Sequence, residues 1–235
     1  MNNSDAIIRD LEVMAGATNY RRWIYSQFDK YLGGRIVELG SGIGTFTELF
    51  LDRELVVAVD NHEPCIEYLK RRFSGHKNVI PLKRDIGSVE MLEVSYYKPH
   101  TVVCINVLEH VKDDMMALSH MFEILNIGGK AILLVPAFQS LYGSIDRLVG
   151  HYRRYSKREL TSKLIGTGFK IREAFYMNSL AVLGWLLNNR IIRRKEESLE
   201  QVLFYDRFIV PSLKNVERIV RPPLGLSIVA IAEKG

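Results

Sequence analysis

The sequence predicts an α/β protein built on a mostly parallel β-sheet. Short apolar runs, typical of buried strands, alternate with amphipathic runs, typical of helices, over most of the 235 residues. One apolar run leads into a glycine-rich turn, and others end at an acidic residue or an asparagine. Open α/β sheets bind ligands at the carboxyl ends of their strands, so this pattern indicates a ligand site along one edge of the sheet.

Local signals help to place the helices between the strands. Pro64 suits a first helical turn, Ser156 and Glu159 have the spacing of a capping box, and the pair Gly128 and Gly129 is typical of a helix end. The predicted strands are residues 35–39, 55–59, 79–82, 101–105, 130–135, 169–176 and 226–232. The predicted helices are residues 44–51, 64–73, 113–125 and 158–166.

Two regions lie outside this alternation. The first precedes the first strand and looks helical (4–31); the second is too long for a hairpin and contains two helical patterns (178–223). We expect a single domain over residues 1–235, divided into an N-terminal helical cap (1–34), a core sheet (35–177 and 224–235) and a helical lid (178–223).

The composition bounds the class of protein. Hydrophobic residues make up 47% and charged residues 25% of the chain, which is ordinary for a globular protein with a substantial core. The formal net charge of +5 mildly favours acidic ligands. Because the chain has no long basic stripe, we do not expect it to bind nucleic acid.

Nothing in the sequence predicts export or a membrane span. The N-terminus has no basic region followed by an apolar stretch, and the longest apolar run, residues 180–187, is too short to cross a bilayer. Cys65 and Cys104 have no metal-binding spacing, and Cys104 lies inside a predicted strand. We therefore expect reduced thiols, a cytoplasmic location and no bound metal.

The glycine-rich turn is the most informative segment. The run Ile-Val-Glu-Leu-Gly-Ser-Gly-Ile-Gly places Glu38 just before Gly40, Gly42 and Gly44. Glycine allows a sharp turn and lets a ligand lie directly against the backbone. A dinucleotide fingerprint requires Gly-x-Gly-x-x-Gly or Ala, and Thr45 fails at the last position. The spacing Glu-x-Gly-x-Gly-x-Gly instead resembles motif I of the class I S-adenosylmethionine-dependent methyltransferases.

A second resemblance begins at the end of the predicted fourth strand. Residues 104–111, Cys-Ile-Asn-Val-Leu-Glu-His-Val, resemble the motif IV segment of small-molecule methyltransferases. Thr101 departs from this pattern, because many members have Asp at the start of the segment; that acid is usually structural, so the assignment stands. The resemblance covers residues 35–176 well and 226–233 loosely.

This resemblance implies a fold, a cofactor and a set of binding residues. The fold is a Rossmann-like, doubly wound, seven-stranded sheet whose last strand is antiparallel. The cofactor is S-adenosylmethionine, converted to S-adenosylhomocysteine, and Glu38 would contact its amino end. The implied cofactor-binding residues are Tyr20, Arg21, Glu38, Gly40, Gly42, Gly44, Asp60, Asn61, Asp85, Ile86, Asn106 and Val107.

Two acids after the second and third strands are predicted to bind the nucleoside. A carboxylate at Asp60 can accept both ribose hydroxyls, although an acid there is also a common helix N-cap. Asp85 matches the family's acid that accepts from the adenine amino group, and the amide of Ile86 would face the ring. The alternative for Asp85 is a plain turn with Gly87.

Methyl transfer from a sulfonium is an in-line displacement, and orientation supplies much of the catalysis. A base is required only when the acceptor carries a proton at neutral pH. His110 and His151 are the candidate catalytic residues. The alternative for His110 is packing that shapes the pocket, and Glu109 is expected to anchor a loop.

The segment after the fifth strand is predicted to cover the acceptor. Residues 150–155, Gly-His-Tyr-Arg-Arg-Tyr, resemble a sub-group of these enzymes often encoded beside glycosyl-transfer and natural-product genes. Arginine forks suit a carboxylate or phosphate, and tyrosines stack or hydrogen-bond; the alternative is an ordinary basic loop. The candidate substrate-binding residues are Tyr142, Arg147, Tyr152, Arg153, Arg154 and Tyr205.

The two flanking regions each admit two interpretations. Tyr20 and Arg21 fold over the cofactor and contact its carboxylate, or they belong to a surface helix that buries Trp23. The run 180–187 favours a core-facing helix with a solvated end over contact with an anionic membrane surface. The basic residues that follow this run are Arg190, Arg193, Arg194 and Lys195.

We therefore expect methyl transfer to an oxygen of a small-molecule, sugar or peptide natural-product acceptor, for example a peptide C-terminal carboxylate. An anionic acceptor suits the net charge of +5. The alternatives are hydroxyl or amine methylation of a sugar, lipid or quinone, and a non-catalytic adenosine-binding module. The glycine spacing disfavours an NAD-dependent dehydrogenase, and the chain has no Asn-Pro-Pro-Tyr-type base-flipping motif. The sequence does not predict the oligomeric state.

Overall fold

A computed structural model describes residues 8, 11, 12, 15–186 and 199–235. Its centre is a mixed sheet, to which the described part of the chain contributes seven strands. The strands are β1 (Arg35–Leu39), β2 (Leu55–Asp60), β3 (Val79–Lys83), β4 (Thr101–Ile105), β5 (Lys130–Pro136), β6 (Phe169–Met177) and β7 (Ser227–Lys234). Each coincides with a predicted strand to within two residues, so the predicted alternation is confirmed.

The described helices occupy the crossovers and the two flanking regions. They are α1 (Thr18–Tyr25), α2 (Glu63–Arg72), α3 (Asp114–Ile124), α4 (Ser144–Leu148), α5 (Lys157–Gly166), α6 (Ala181–Leu186), α7 (Leu199–Phe204) and α8 (Val210–Ile219). A π-helical turn, Tyr205–Ile209, joins α7 to α8. Local chemistry starts the helices as predicted: α2 has proline in its first turn, and Ser156 accepts a hydrogen bond from the amide of Glu159 (3.1 Å).

The strand order is β3-β2-β1-β4-β5-β7-β6. Strands β1 to β5 pair in parallel, whereas β7 inserts between β5 and β6 and runs antiparallel to both. The order therefore reverses between β1 and β4, and in open α/β sheets this point opens a crevice at the carboxyl ends of the strands. The predicted doubly wound sheet with an antiparallel last strand is confirmed.

Both faces of the sheet are buried. Along β1, Val37 and Leu39 join one apolar cluster, which contains α3 and α5, while Ile36 joins the other, which contains α1, α2 and α8. This alternation follows from the two-residue period of a strand and explains why the strands are apolar throughout. Helices on both faces leave the two ends of the strands as the places where polar side chains collect.

One predicted helix was wrong. Residues 44–51 form turns and a short 3₁₀ helix, Thr47–Phe50, instead of a longer helix, because Gly44 still has a left-handed conformation (φ +82°). The helix predicted over 113–125 is confirmed to within one residue at each end, but Leu125 is its C-cap residue, and Gly128 (φ +75°) lies beyond it in the turn before β5. There the amide of Gly128 donates to the carbonyl of Lys234 in β7 (2.8 Å).

A buried acid joins the N-terminal helix to the C-terminal helices. The carboxylate of Asp206, in the π-helical turn, accepts hydrogen bonds from the backbone amides of Asn19 (3.2 Å) and Tyr20 (2.7 Å). These amides belong to the first turn of α1, which has no partners for them within the helix. A second acid, Glu217 of α8, accepts in the same way from the amides of Asn178 and Ser179 after β6. The two flanking regions are thus fastened to the sheet by carboxylates that cap backbone donors.

Within the residues described, no helix is both long enough and apolar enough to cross a membrane. Arg190, Arg193, Arg194 and Lys195, on which the membrane hypothesis depends, lie outside the described residues.

Replacing Asp206 with alanine is expected to lower the free energy of unfolding by about 1–3 kcal/mol, because two amides of α1 lose a buried charged acceptor. Urea denaturation measures the change, and hydrogen exchange locates it in residues 18–25. The control Asp52→Ala removes a largely exposed aspartate and should change stability by no more than about 0.5 kcal/mol. Equal effects of the two substitutions would contradict the capping role.

Candidate active site

Four predicted site residues come together at the carboxyl edge of the sheet. Glu38 is the fourth residue of β1, Asp60 ends β2, Asp85 follows β3, and Asn106 follows β4. The register places Leu39 beside both Val59 and Cys104, so these strand ends are level with one another. The edge lies at the reversal of strand order, where the sequence predicts the ligand site.

The glycine turn has one open face and one packed face. Gly40, Gly42 and Gly44 all have positive φ. A Cβ at Gly40 would lie 2.3 Å from the side chain of Val107, so glycine is required there by packing. Among the described residues, a Cβ at Gly42 would have only the side chain of Leu11 within 4 Å, at 3.3 Å. Gly42 is therefore the glycine whose surface can face a ligand, with the N-terminal segment beside it.

Asp60 organises this turn. It is buried, and its two oxygens accept from the amide of Gly42 (2.8 Å) and the amide of His62 (2.9 Å). A carboxylate has about four lone-pair positions, so each oxygen keeps capacity for one further donor. The helix-capping interpretation of Asp60 was wrong, because His62 is the N-cap residue of α2 and no side chain caps that helix. The bond to the His62 amide instead closes a turn after β2, and a ribose diol can use the remaining capacity.

Glu38 is buried below the turn. Its carboxylate accepts from the hydroxyl of Thr47 (2.5 Å), which is also buried. The pKa of Glu38 is raised from 4.5 to about 8, because burial, the largest effect, and the charge of Asp60 together outweigh the Thr47 hydrogen bond and the charge of Arg72, which lower it. The site thus contains a buried acid in which a cationic group would favour the ionised form.

The residues after β2 and β3 lie at the outer part of the edge. Asn61 and Asp85 are exposed, and Asp85 accepts from the amide of Gly87 (2.7 Å), as the plain-turn interpretation predicts. The carbonyl of Ile86 is held by the ring nitrogen Nδ1 of His120 (2.9 Å). His120 was not recognised in the sequence, because its partner is a backbone group on a distant loop.

The N-terminal segment lies against the glycine turn. A guanidinium nitrogen of Arg21 donates to the carbonyl of Thr45 (3.1 Å) and pairs with Glu48. Tyr20 packs edge-to-face on Trp23, which is fully buried. The predicted burial of Trp23 is confirmed, and Arg21 contacts the motif I segment itself.

Residues after β4 and β5 form a second cluster. Asn106 is exposed and has a left-handed backbone (φ 52°), a conformation that non-glycine residues adopt mainly where surrounding contacts impose it. Beyond it, the rings of His110 and His151 meet edge-to-face with centroids 4.6 Å apart. Nε2 of His151 lies 3.8 Å from a carboxylate oxygen of Glu109. The two candidate catalytic histidines are therefore adjacent, although 41 positions separate them in the chain.

Glu109, which the sequence predicts only as a loop anchor, has its carboxylate beside the two histidines. Its side chain is fully buried, and neither carboxylate oxygen has a hydrogen-bond partner among the described residues. The pKa of Glu109 is raised to about 8, mainly by burial; the charge of Asp146 adds to the rise and the charge of Arg154 opposes it. His110 is exposed as a residue, yet desolvation of its ring and the neighbouring His151 lower its pKa to about 4.

Asp146 of α4 accepts hydrogen bonds from three donors in the segment between β5 and α5. One oxygen accepts from Nδ1 of His151 (2.8 Å) and from Nε of Arg154 (2.7 Å), and the other accepts from the amide of Gly143 (2.9 Å). Asp146 is fully buried, and these donors hold its pKa below the ordinary value although desolvation opposes them. The sequence did not identify Asp146, because its three partners are specified by the folded loop.

The prediction that Arg153 and Arg154 bind an anionic acceptor has to be corrected. Arg154 is 2% exposed, paired with Asp146 and stacked on the ring of Trp185 (4.3 Å). Arg153 pairs with the buried Asp114 at 2.9 Å. Both guanidinium groups neutralise buried carboxylates and stabilise the loop, which is the ordinary basic-loop alternative.

The other predicted substrate residues divide into two groups. Tyr142 donates its hydroxyl to the carbonyl of His151 (2.8 Å), and Arg147 and Tyr152 are exposed on the same loop. Tyr205 lies elsewhere: its hydroxyl donates to the side chain of Asn178 (2.6 Å), and burial raises its pKa. The structure therefore brings Tyr142, but not Tyr205, to the histidines.

Replacing Glu38 with glutamine should remove a pH-dependent penalty on stability. Between pH 4.5 and about 8 the unfolded carboxyl is ionised while the folded one is protonated, so stability falls as pH rises through this window. Relative to the wild type, Glu38→Gln should gain stability from pH 5 to pH 8 by on the order of a few kcal/mol. Urea denaturation at the two pH values tests this.

The matched control is Glu67→Gln, at an exposed glutamate on α2 that pairs with Lys70 at 3.0 Å. Its stability relative to the wild type should not change between the two pH values. A constant difference for Glu38→Gln as well would show that Glu38 is ionised in the folded protein.

The site suits S-adenosylmethionine. Three carboxylates lie at successive strand ends, and an ammonium group, a ribose diol and an adenine amino group are the donors that such acids accept. The open face of Gly42 allows the ligand to approach the backbone. The three carboxylate acceptors and the glycine turn therefore fit the cofactor predicted from the sequence.

Comparison with solved structures supports the same fold. A SAM-dependent methyltransferase of Thermotoga maritima is 16% identical, with a TM-score of 0.66 over 99% of this chain and 97% of the other. One from Mesorhizobium loti is 14% identical, with a TM-score of 0.59 over 87% and 92%. The N-methyltransferase NodS of Bradyrhizobium japonicum, in complex with S-adenosyl-L-homocysteine, is 13% identical, with a TM-score of 0.57 over 91% and 84%.

Curated relatives match over shorter segments. Probable polyketide synthase 42 of Dictyostelium discoideum is 27% identical in an alignment 141 positions long that covers 52% of this chain and 5% of that protein. An uncharacterised 37.1 kDa protein in transposon Tn4556 of Streptomyces fradiae is 24% identical over 156 residues, 65% of this chain and 44% of that protein. The chain thus spans less than half the length of these relatives.

A family model described as a methyltransferase domain matches residues 17–174, well over half of the chain, and this segment includes the glycine turn and all four strand-end residues. The chain therefore belongs to this methyltransferase-domain family and has the class I fold of the solved S-adenosylmethionine-dependent methyltransferases.

Proposed function

We propose that this methyltransferase transfers the methyl group to an oxygen of a small-molecule acceptor, and that the oxygen belongs to a hydroxyl group. The observation that carries this proposal is the cluster of Glu109, His110 and His151, which follows β4 on the carboxyl edge of the sheet. A hydroxyl has to lose its proton, and these are the side-chain types that accept one. A carboxylate acceptor would need no such groups.

We propose that residues at different strand ends bind different parts of the cofactor. Asp60 would accept the ribose hydroxyls, Glu38 the ammonium end, and Asp85 with Ile86 the adenine. Gly42 would provide the backbone surface between them. S-adenosylmethionine supplies the electrophilic methyl group; the chain's own contribution is to bind it, exclude water and orient the acceptor.

A peptide C-terminal carboxylate has weaker support than the sequence suggested. Arg153 and Arg154 are already paired with Asp114 and Asp146. Arg147, exposed on α4, remains as a cation for an anionic part of the acceptor. The similarity to a segment of polyketide synthases supports a hydroxylated natural product as acceptor, and sugars offer the same chemistry.

The proposed lid of residues 178–223 contacts the acceptor loop. Trp185 of α6 donates its indole N–H to the carbonyl of Leu141 (3.1 Å) and stacks on Arg154. This contact supports a role for α6 in closing the acceptor side, within the single domain that we propose for the chain.

Replacing Asp60 with asparagine should weaken S-adenosylhomocysteine binding about 10- to 100-fold, because hydrogen bonds to a charged group contribute about 1.5–3 kcal/mol. Isothermal titration calorimetry measures the affinity. The control Asp52→Asn, at an exposed aspartate before β2, should bind as the wild type does. Unchanged affinity in Asp60→Asn would remove the ribose-binding role, and no binding by the wild type would contradict the cofactor site itself.

The acceptor oxygen is tested with S-adenosylmethionine labelled in the methyl group and a panel of hydroxylated, carboxylated and amine acceptors. We expect label to enter hydroxylated acceptors and to remain after mild alkali, which hydrolyses methyl esters but not methyl ethers. Release of the label as methanol would establish a carboxylate acceptor. Transfer to amines alone would contradict oxygen methylation.

A further inference from the structure

We propose that Glu109, His110 and His151 form a binding site for one divalent first-row transition-metal ion, such as Zn²⁺, with coordination positions left open for the acceptor oxygen. The sequence predicts no metal site, because these residues lack a recognisable ligand spacing. The fold brings them together from the end of β4 and from the loop after α4.

The first argument is distance. One ligand atom from each of the three side chains lies within 4.8 Å of the other two, and Nε2 of His151 is 3.8 Å from Oε1 of Glu109. Metal–nitrogen and metal–oxygen bonds of about 2.0–2.2 Å place neighbouring ligands roughly 3 Å apart. To complete the site, the 3.8 Å pair has to close by about 0.8 Å and the widest separation by up to about 1.8 Å.

The second argument is the unmet hydrogen-bonding capacity of Glu109. Its carboxylate is fully buried, and neither oxygen accepts a hydrogen bond from any described residue. A buried charged group without such partners is costly, and buried charges in proteins are ordinarily paired or coordinate metals. A cation between Glu109 and the two imidazoles would supply the missing partner.

The third argument is the orientation of His151. Its Nδ1 is bonded to Asp146, which Arg154 and the amide of Gly143 hold in place, so Nε2 is left facing Glu109. A carboxylate on the far nitrogen of a histidine is the usual outer contact of a metal ligand, because it fixes the tautomer and the ring. Asp146 is thus a positioning residue for this site.

Charge also favours a cation. Arg154 balances Asp146, which leaves the carboxylate of Glu109 as an acid with no ion-paired arginine or lysine among the described residues. Two nitrogens and one oxygen are a donor set that suits zinc and other first-row metals, whereas magnesium and calcium prefer oxygen alone.

Three protein ligands leave at least one coordination position open, as in catalytic metal sites. With the metal bound, the three side chains would ligate the ion instead of accepting the proton themselves, and a hydroxyl on the ion would lose its proton to solvent more readily. The oxygen anion would then attack the methyl carbon as the carbon–sulfur bond of the sulfonium breaks, which releases S-adenosylhomocysteine. This acceptor role rests on the proposed function; metal binding itself does not.

The test uses untagged, chelator-treated full-length protein and Zn²⁺ alone, without acceptor. Calorimetry should give one ion per chain, and Co²⁺ should show the visible absorption of a nitrogen- and oxygen-ligated site. Glu109→Gln and His110→Ala should each weaken Zn²⁺ binding at least tenfold, since losing even an outer contact costs about 10- to 100-fold. His76→Ala, an exposed histidine elsewhere, should leave the affinity unchanged.

Affinity for S-adenosylhomocysteine is measured on the same proteins and should be unchanged, which excludes misfolding and separates this test from that of the proposed function. Absence of Zn²⁺ binding, or equal affinity in wild type, Glu109→Gln and His110→Ala, would overturn the metal site. If the metal binds but methyl transfer to hydroxyls is the same in chelator-treated enzyme, the acceptor role is overturned.

Discussion

The reversal of strand order between β1 and β4 is the constraint on which the rest of this structure depends. Parallel pairing places the carboxyl ends of β1 to β5 on one edge, and the crossovers leave that edge open where the order turns. Glu38, Asp60 and Asn106 gain their positions from this geometry alone, since each lies at or near a strand end. The backbone therefore determines the arrangement of the cofactor side before any side-chain contact is made.

The loop after β5, which we propose covers the acceptor, is organised differently, by a side chain instead of a strand edge. Asp146 collects His151, Arg154 and the amide of Gly143 around one carboxylate, and Arg154 in turn stacks on Trp185 of α6. This network connects the loop after β5 to the proposed lid. Because hydrogen-bonded charges in a buried network support one another, the loop is held in one arrangement although it has little regular structure.

These two modes of organisation explain what could be predicted from the sequence. Strands, the glycine turn and Asp60 are local features, since apolar runs, glycine spacing and an acid at a strand end are visible within a few residues. The pairing of Arg154 with Asp146, and the capping of α1 by Asp206, join residues that no local pattern relates. Arg153 and Arg154 were predicted to bind an anionic acceptor because the sequence shows each cation but not the buried acid that neutralises it. The environment of Glu109 could not be predicted for the same reason. Only the folded structure shows that its carboxylate is buried without a hydrogen-bond partner among the described residues.

The two buried glutamates on this edge, Glu38 and Glu109, destabilise the ligand-free fold, because burial disfavours an ionised carboxylate. Burial raises the pKa of both Glu38 and Glu109 to about 8. Glu38 is partly compensated, because Thr47 donates a hydrogen bond to it. Glu109 has no such donor within the part of the chain that the structure describes, yet it lies beside two imidazoles that can share a cation with it. An apolar residue would pack at either position without the desolvation cost, so the folded chain alone gives no reason for an acid there. A cationic ligand does give one: an ammonium group at Glu38 and a metal ion at Glu109 would each convert an unfavourable buried carboxyl into a paired one.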